Sequence, residues 1–535
     1  MEELVIDYLK KTGLKFPEEQ CEKLITSHPD YPAIISVADT FDQLGIEYVV
    51  GRKNEKNLAE ITYPYMVHMN PHSLIIINDE ADYKKVASHL KHEWSGIVIK
   101  VDEGQELEKE TVRKAAQKEK DKKLGAKALI GLGAVALLAP MLSVITLPMA
   151  LWLITALMGL AVGLVLASKE LGLTGSKVEE FCKSGKNSDC TGVLKSDAAT
   201  IWKGIKLTDM VNGYFAAQLA ALLLIDITGV TTGLTSLALI SVLVLPMIIY
   251  SYYYQGVVTK KWCKLCLLVT AVLLMQGALA LSLYKPFALE ATDLAPSAYV
   301  SVLILLFIGL ATSFKAQWQQ TKDLAEENNL AMRIVKSPTA FNALMAKEPY
   351  ARPQEFRYDM LVGNAEAGHS LYLSLNLNCN PCSKTFDKLY EVMQDYSHKL
   401  KVHLTFAPNS QITEGFSDNE YFTQLWLEQI QGTANETAKT LNLLHAWYNK
   451  VDAGSFRKQY PLKSEDLSAK TLALIDEQVN WNYQNGVKTA PTMFFNMRHL
   501  PPYYRMDMLA QALPYILNEL PVPDLSHVYE AAKEA

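Results

Sequence analysis

The distribution of apolar and polar positions divides the chain before any motif is considered. Six apolar runs, at 128–146, 149–168, 211–230, 233–254, 262–284 and 296–314, match the roughly 20 residues a helix needs to cross a bilayer. Residues 128–168 contain no Asp, Glu, Lys or Arg, and Asp226 is the only charged residue between Met210 and Thr259. Pro148 divides the first two runs, and Gly229 through Gly233 separate the third from the fourth. One such run could be a buried core helix; six in succession predict an all-α, multi-pass membrane domain.

The flanks have different patterns. Residues 1–105 predict a mixed α/β domain, with a helix over 33–44 and strands over 73–78 (SLIIIN) and 96–101 (GIVIKV), where β-branched residues dominate. Residues 106–127 (ELEKETVRKAAQKEKDKKLGAK) predict a charged helical linker, and 128–168 an apolar hairpin. A membrane core over 169–315 and a linker over 316–360 precede a second soluble α/β domain at 361–525. In that domain a strand at 371–377 (LYLSLNL) runs straight into a Cys-Asn-Pro-Cys motif, Cys379 to Cys382, and a helical pattern through 399. A strand at 401–406 (KVHLTF), a helix-rich stretch over 415–485 and a third strand at 493–495 (MFF) follow.

Composition narrows the function. At 535 residues the chain is long enough for three or four domains, and a soluble globular enzyme throughout is excluded. A net charge of −6 argues against a nucleic-acid partner, which needs a basic domain. The N-terminal MEELVIDYLKK has acids where a signal peptide needs bases, so targeting is expected from the internal spans.

The cysteines carry the chemistry. Six of the seven form close pairs, Cys182/Cys190, Cys263/Cys266 and Cys379/Cys382, leaving Cys21 alone. Two Cys-x-x-Cys pairs could hold zinc. However, Cys263 and Cys266 open an apolar span, and Cys379 and Cys382 sit at a strand-to-helix junction, where a redox dithiol belongs. Parity favours the redox reading: two spans separate Cys190 from Cys263, and two more separate Cys263 from the C-terminal domain. All three pairs therefore share one face of the membrane, as a relay of thiol–disulfide exchanges requires. A helix N-terminus at Cys379 would stabilise its thiolate, and Pro381 suits a first helical turn. Pro491 marks either an edge strand or a cis-proline loop packed on the dithiol. Lys260, Lys261 and Lys264 around Cys263 read as interfacial anchors or as charges favouring its thiolate.

With pairs and spans in place, residues 170–285 resemble the vitamin K epoxide reductase family. The carriers are Cys182 and Cys190 in their loop, Ser196, a Gly204-containing turn, and Lys261-Trp-Cys263-Lys-Leu-Cys266 two spans later. Residues 361–515 resemble the thioredoxin superfamily in the version with a helical insertion, on the Cys379/Cys382 motif and Pro491. The resemblance implies a four-helix-bundle-type membrane core. It also implies electron flow from reduced substrate proteins or peptides to Cys379/Cys382, then through Cys182 and Cys190 to Cys263 and Cys266. The final acceptor would be the membrane quinone pool, ubiquinone or menaquinone, with Cys266 facing it. Ser196 would support the loop or cap a local turn. Asn212 is a candidate hydrogen-bond donor near the quinone, or a satisfied polar residue at a helix end.

Residues 1–105 resemble the papain-like cysteine peptidases that trim double-glycine leaders. The carriers are Ser27 through Pro32, Leu44 through Tyr48, Pro64, His72 and Trp94 to Gly96. The first helix, EELVIDYLKK, lacks the family's nucleophilic cysteine, Cys21 falls on the second, and His72 would be a base without a nucleophile. A degenerate domain is implied, with Cys21 as a core thiol; a peptidase using Cys21 is the sharper alternative.

The expected function is a quinone-dependent thiol–disulfide oxidoreductase, multi-pass in a bacterial inner (cell) membrane, with an extracytoplasmic redox domain. The alternatives are an export or maturation accessory binding leader peptides through residues 1–105, and a reductase or isomerase relay using the same cysteines. The side of the N-terminal domain is left open: two spans in 128–168 put it outside. Arg113, Lys114, Lys118, Lys120, Lys122, Lys123 and Lys127 favour a cytoplasmic start.

Overall fold

The computed structural model describes the chain except residues 53–60, 71–72, 139–145, 174–177, 179–180, 183–187, 195, 197–199, 203, 229–231, 284–293, 354–355, 357, 408–416, 451, 465, 529 and 531–535. It forms two compact units: Met1–Arg113 with Asn328–Ala535, and Lys114–Glu327.

The N-terminal part of the first unit opens with helices Glu2–Lys11, Glu18–Thr26 and Ile35–Leu44. Their spaced apolar residues, Val5, Leu9, Ile25 and Phe41 among them, form one buried core with Cys21. Gly45 ends the third helix at φ 68°, a conformation that costs glycine no Cβ clash. Strands β1 (Tyr48–Arg52), β2 (Tyr65–Met69), β3 (Ser73–Ile77) and β4 (Trp94–Val101) pair antiparallel in the order β1-β4-β2-β3. The Tyr8 hydroxyl ties the first helix to this sheet by accepting the Val101 N–H at 2.9 Å.

In the second unit, helix Glu110–Leu138 carries the charged stretch directly into the first apolar run, whose 139–145 portion lies outside the described residues. Four described helices are long and apolar enough to cross a membrane: Leu147–Glu170, Leu234–Val258, Lys264–Ser282 and Ala295–Lys336. Helix Leu207–Thr228 packs among them, entered by a small hairpin of β5 (Thr200–Trp202) and β6 (Ile205–Lys206) that turns at Gly204, φ 90°. The Asp226 side chain and the Gly229 junction lie outside the described residues.

Small residues set the helix spacing, as expected where lipid supplies no hydrophobic drive between helices. A Cβ on Gly159 would fall 2.2 Å from the Phe215 ring, and one on Gly213 2.6 Å from the Ile308 backbone nitrogen. Deeper in the bundle, Gln276 Nε2 donates to Gln218 Oε1 at 2.8 Å and to Thr155 Oγ1 at 3.2 Å. Trp152 Nε1 donates to the same Gln218 oxygen at 3.2 Å. These bonds join three helices through side chains that would otherwise be unsatisfied in an apolar medium.

The C-terminal part of the first unit is built on β7 (Leu361–Gly363), β8 (His369–Leu375), β9 (Leu400–Phe406), β10 (Thr492–Phe495) and β11 (Arg498–His499), in the order β11-β10-β8-β9-β7. β8 and β9 are parallel, joined by helix Asn380–Tyr396; the other pairings are antiparallel. β8 is buried along its whole length, as its apolar run requires. Four described helices lie between β9 and β10, Asp418–Gln429, Glu436–Tyr448, Ala453–Gln459 and Ala469–Gln484, where the sequence predicted a helix-rich stretch.

The N-terminal and C-terminal parts pack together within this unit. Lys336 Nζ donates to the buried Ser27 hydroxyl at 2.6 Å, and Arg333 Nε to the Thr26 carbonyl at 2.8 Å. The Arg333 guanidinium also lies 4.3 Å from the Tyr31 ring centre. Gln43 donates to the Tyr515 hydroxyl at 3.0 Å, and the His28 ring meets Tyr515 edge-on.

Candidate functional site

In the C-terminal domain, the strand-to-helix junction places the dithiol. β8 ends at Leu375, Cys379 is the N-cap of helix Asn380–Tyr396, and Pro381 lies in its first turn, where a missing N–H leaves no helical bond unmade. The two sulfurs differ in environment. Cys379 is partly exposed, whereas Cys382 is fully buried and accepts the Asn376 N–H at 3.4 Å. Burial, and then contact with Cys379, push the Cys382 thiol up to about 12. The Ala490–Pro491 bond is cis, and the Ala490 carbonyl accepts from the Cys379 thiol at 3.6 Å. Pro491 therefore belongs to a loop against the dithiol rather than to a remote edge strand.

The other two pairs, Cys182/Cys190 and Cys263/Cys266, gather at one end of the membrane unit, all four buried. Cys263 immediately precedes helix Lys264–Leu283 and Cys266 lies in its first turn, so their sulfurs share one face, 2.6 Å apart. The Cys266 N–H also donates to Cys263 Sγ at 3.2 Å. Cys190 starts the short helix Cys190–Leu194 and touches the thiols of both Cys263 and Cys182. Contact with Cys263, and then burial, push the Cys190 thiol above its ordinary range.

A clasp holds the Cys190 segment against Cys263. The Asp189 N–H donates to the Trp262 carbonyl at 3.1 Å, and Lys261 Nζ pairs with Asp189 at 2.6 Å. The Ser188 hydroxyl donates to the Cys182 carbonyl at 2.8 Å, linking the first cysteine of the loop to the same strand-like contact. Lys261 thus acts on the site through Asp189, and Lys264 lies 5.2 Å from the Phe181 ring centre. Gln255 adds a bond that the sequence did not reveal. Beyond Pro246, the helix widens into a π-type turn at Tyr254–Val258 that points Gln255 inward. Its Oε1 accepts the Cys263 N–H at 2.8 Å and its Nε2 donates to Ser251.

Cys266 opens onto a cavity walled by apolar side chains such as Leu166, Val211, Ile248 and Leu273. Ser196, Ser251, Gln255 and Thr270 bring polar atoms to the same wall. An apolar slot beside a thiol, with a few hydroxyl and amide groups, fits a quinone ring, whose carbonyls need only a few donors. Ser196 lines this cavity, and its hydroxyl donates to the Val193 carbonyl, 2.6 Å away, which is the local turn cap of its two expected roles. Asn212, a candidate quinone donor or a satisfied polar residue at a helix end, makes internal bonds. Its amide donates to the Gly163 carbonyl of the neighbouring helix at 3.1 Å and to the Thr208 carbonyl one turn back on its own helix at 3.0 Å.

The alternative of a peptidase in the N-terminal part rests on Cys21 and His72. Cys21 is 0% exposed, with burial pushing its thiol up to about 12, and His72 lies outside the described residues.

Residues 150–281 match the model of the vitamin K epoxide reductase family. No curated protein sequence matches the chain. Among solved structures, a periplasmic thioredoxin-like protein from Salmonella enterica serovar Typhimurium is similar at 15% identity and TM-score 0.25. That match covers 30% of this chain and 91% of the other. Oxidised BdbD from Bacillus subtilis is similar at 12% identity and TM-score 0.25, over 32% of this chain and 98% of the other. The catalytic domain of Proteus mirabilis ScsC is similar at 18% identity and TM-score 0.24, over 30% and 90%.

Proposed function

We propose that the chain is a membrane-bound thiol–disulfide oxidoreductase that forms disulfides in exported proteins, using a membrane quinone as the final oxidant. Cys379 attacks first, because it is the reachable sulfur of its pair, and Cys382 resolves the mixed disulfide. The pair is reoxidised by Cys182/Cys190, which passes its two electrons to Cys263/Cys266. In each exchange a thiolate attacks a disulfide sulfur, one S–S bond forms as another breaks, and the displaced sulfur leaves as thiolate. A quinone bound beside Cys266 supplies a two-electron, two-proton sink.

The observation that carries this reading is that the Cys190 thiol interacts with both Cys182 and Cys263. A member of one dithiol that reaches the next can pass a disulfide onward; an isolated pair cannot. The match of residues 150–281 to the vitamin K epoxide reductase family supports it. The setting we infer is a bacterial cell membrane, with the redox domain outside the cytoplasm. The packing of the N-terminal part on the C-terminal part supports placing both on that same side.

The test is a Cys382→Ser variant, in which Cys379 can attack but its partner cannot resolve. It should accumulate mixed disulfides from Cys379 to substrate protein or to Cys182, visible on non-reducing gels and by mass spectrometry. Wild-type protein in lipid nanodiscs should oxidise a reduced model protein only when ubiquinone or menaquinone is added. An absence of trapped species together with quinone-independent oxidation would sink the reading.

A further inference from the structure

The cavity beside Cys266 has a charged corner that the cysteine relay does not use. Glu170 and Lys206 both line it, and their side chains pair at 2.7 Å. The Thr208 hydroxyl, also on the cavity wall, donates to Glu170. Behind them, Lys315 pairs with Glu170 at 3.2 Å and with Asp209 at 2.7 Å, and Asp209 accepts the Lys206 backbone N–H at 2.9 Å. Four elements contribute: the end of helix Leu147–Glu170, the β5–β6 hairpin, the start of helix Leu207–Thr228, and helix Leu294–Lys336. Two ammonium groups and two carboxylates leave the cluster without net charge.

Charges at the edge of an apolar cavity are costly to desolvate, and in membrane proteins they mark functional positions by default. The exposures within the cluster are graded. The Glu170 and Asp209 side chains are 6% and 3% exposed and Lys315 14%, whereas Lys206 is 33% exposed. Lys206 therefore lines the cavity and also has an exposed side. Lys315 contacts both carboxylates, so Glu170 keeps a cationic partner whether or not Lys206 carries its proton.

We propose that Lys206 is the proton donor and charge partner of the quinone bound beside Cys266, with Glu170 as the positioning residue that holds it on the wall. The proposal rests on the quinone-dependent reading above. Closing the Cys263–Cys266 disulfide releases two electrons and two protons, the same number that converts a quinone to its hydroquinone. The electrons move from sulfur directly. The thiol protons are lost to water during exchange, and an equal number must return to the developing oxyanion. With a quinone bound, the Lys206 ammonium would stabilise that negative charge and give one proton, and the amine, reprotonated from water through its exposed side, would give the second.

The first test is a footprint that needs no turnover. Oxidised wild-type protein in nanodiscs is treated with an amine-acylating reagent, with and without a short-chain ubiquinone, and read by peptide mass spectrometry. In a parallel reduced sample, alkylation of Cys266 is followed. Quinone should shield Lys206 and Cys266 several-fold. It should leave Lys261, which is 52% exposed and does not line the cavity, unchanged. Shielding of Cys266 without Lys206 would overturn this proposal and leave the oxidoreductase reading standing; shielding of neither would remove both.

The second test separates proton transfer from charge. Lys206→Met should slow quinone reduction ~100-fold, the scale of a lost general acid, with quinone affinity within a few-fold of wild type. Lys206→Arg keeps the charge but holds its proton too tightly, and should remain slow. A Lys206→Arg variant as fast as wild type would reject proton donation. Loss of the Cys190–Cys263 mixed disulfide in either variant would show damage to the site's structure instead, and would also reject the assignment.

Discussion

Cys21, Cys190 and Cys382 are all buried, yet they differ in what surrounds them. Cys21 lies among Val5, Leu9, Ile25 and Phe41, so its sulfur meets only core and does not reach a second thiol. Cys21→Ala should therefore leave thiol oxidation unchanged while lowering stability by about 1 kcal/mol, the scale of a small buried truncation. A loss of oxidation in that variant would reopen a role for the N-terminal thiol. Cys382 shows the same burial beside a reactive partner. Its folded thiol, at about 12, is raised above an ordinary value of 9. A raised folded value means that stability is retained below about pH 9 and lost as pH rises toward 12. Denaturant midpoints of the reduced full-length protein should fall across that window, and less steeply in a Cys382→Ala variant. At neutral pH, iodoacetamide should modify Cys379 and spare Cys382, as mass spectrometry of the alkylated peptides would show.

At the scale of elements, the clasp between the Cys190 segment and the Trp262 strand determines whether two dithiols meet. The Asp189–Lys261 pair is partly exposed, 35% and 52% at its side chains, so its contribution to stability should be below ~1 kcal/mol. Its effect on exchange should be larger, because it sets the approach of Cys190 to Cys263. Lys261→Glu should slow transfer between those cysteines, and adding Asp189→Lys should restore it; trapping rates of the Cys190–Cys263 mixed disulfide measure both. A double variant no faster than the single one would reduce the pair to surface charge. Helix packing gives a second expectation. Gly213→Leu would drive a side chain into the Ile308 backbone, and the bundle should lose several kcal/mol of stability or fail to assemble, read as the thermal midpoint in detergent. Gln255 belongs to this scale too. A glutamine in a Tyr-rich helix end gives no signal in sequence; the π-type turn that aims it at the Cys263 N–H exists only once the helix is built.

For the whole molecule, the long helix Leu294–Lys336 leads from an apolar run directly into contacts with the N-terminal domain. The buried Lys336–Ser27 bond between these domains predicts one compartment for both, with an even number of crossings between them. The basic residues before the first apolar run favour the opposite, so the packing and the charge rule make different predictions. In a background lacking native cysteines, Lys84→Cys and Arg505→Cys would report the two domains from side chains that are each 73% exposed. A membrane-impermeant maleimide should label both in intact cells. Labelling at position 505 alone, with position 84 reached only after permeabilisation, would separate the domains and overturn the shared compartment.

Much of this organisation was legible in the sequence. The elements expected over 33–44, 73–78, 96–101, 371–377, 401–406 and 493–495 coincide with helix Ile35–Leu44 and strands β3, β4, β8, β9 and β10 to within a few residues. Apolar periodicity and β-branched runs are local properties, and local sequence contains them. The cysteine spacing likewise placed two dithiols at helix starts, because a two-residue gap across a first turn puts both sulfurs on one face. Tertiary structure alone decided what lies far apart in the chain. It brought Cys190 to Cys263, the Ala490 carbonyl to Cys379, and the Asn212 amide to Gly163 of a neighbouring helix. It also drew Glu170, Lys206, Asp209 and Lys315 into one charged corner. Each of those contacts depends on how whole helices and strands pack, and the spacing of residues within any one of them contains no record of it.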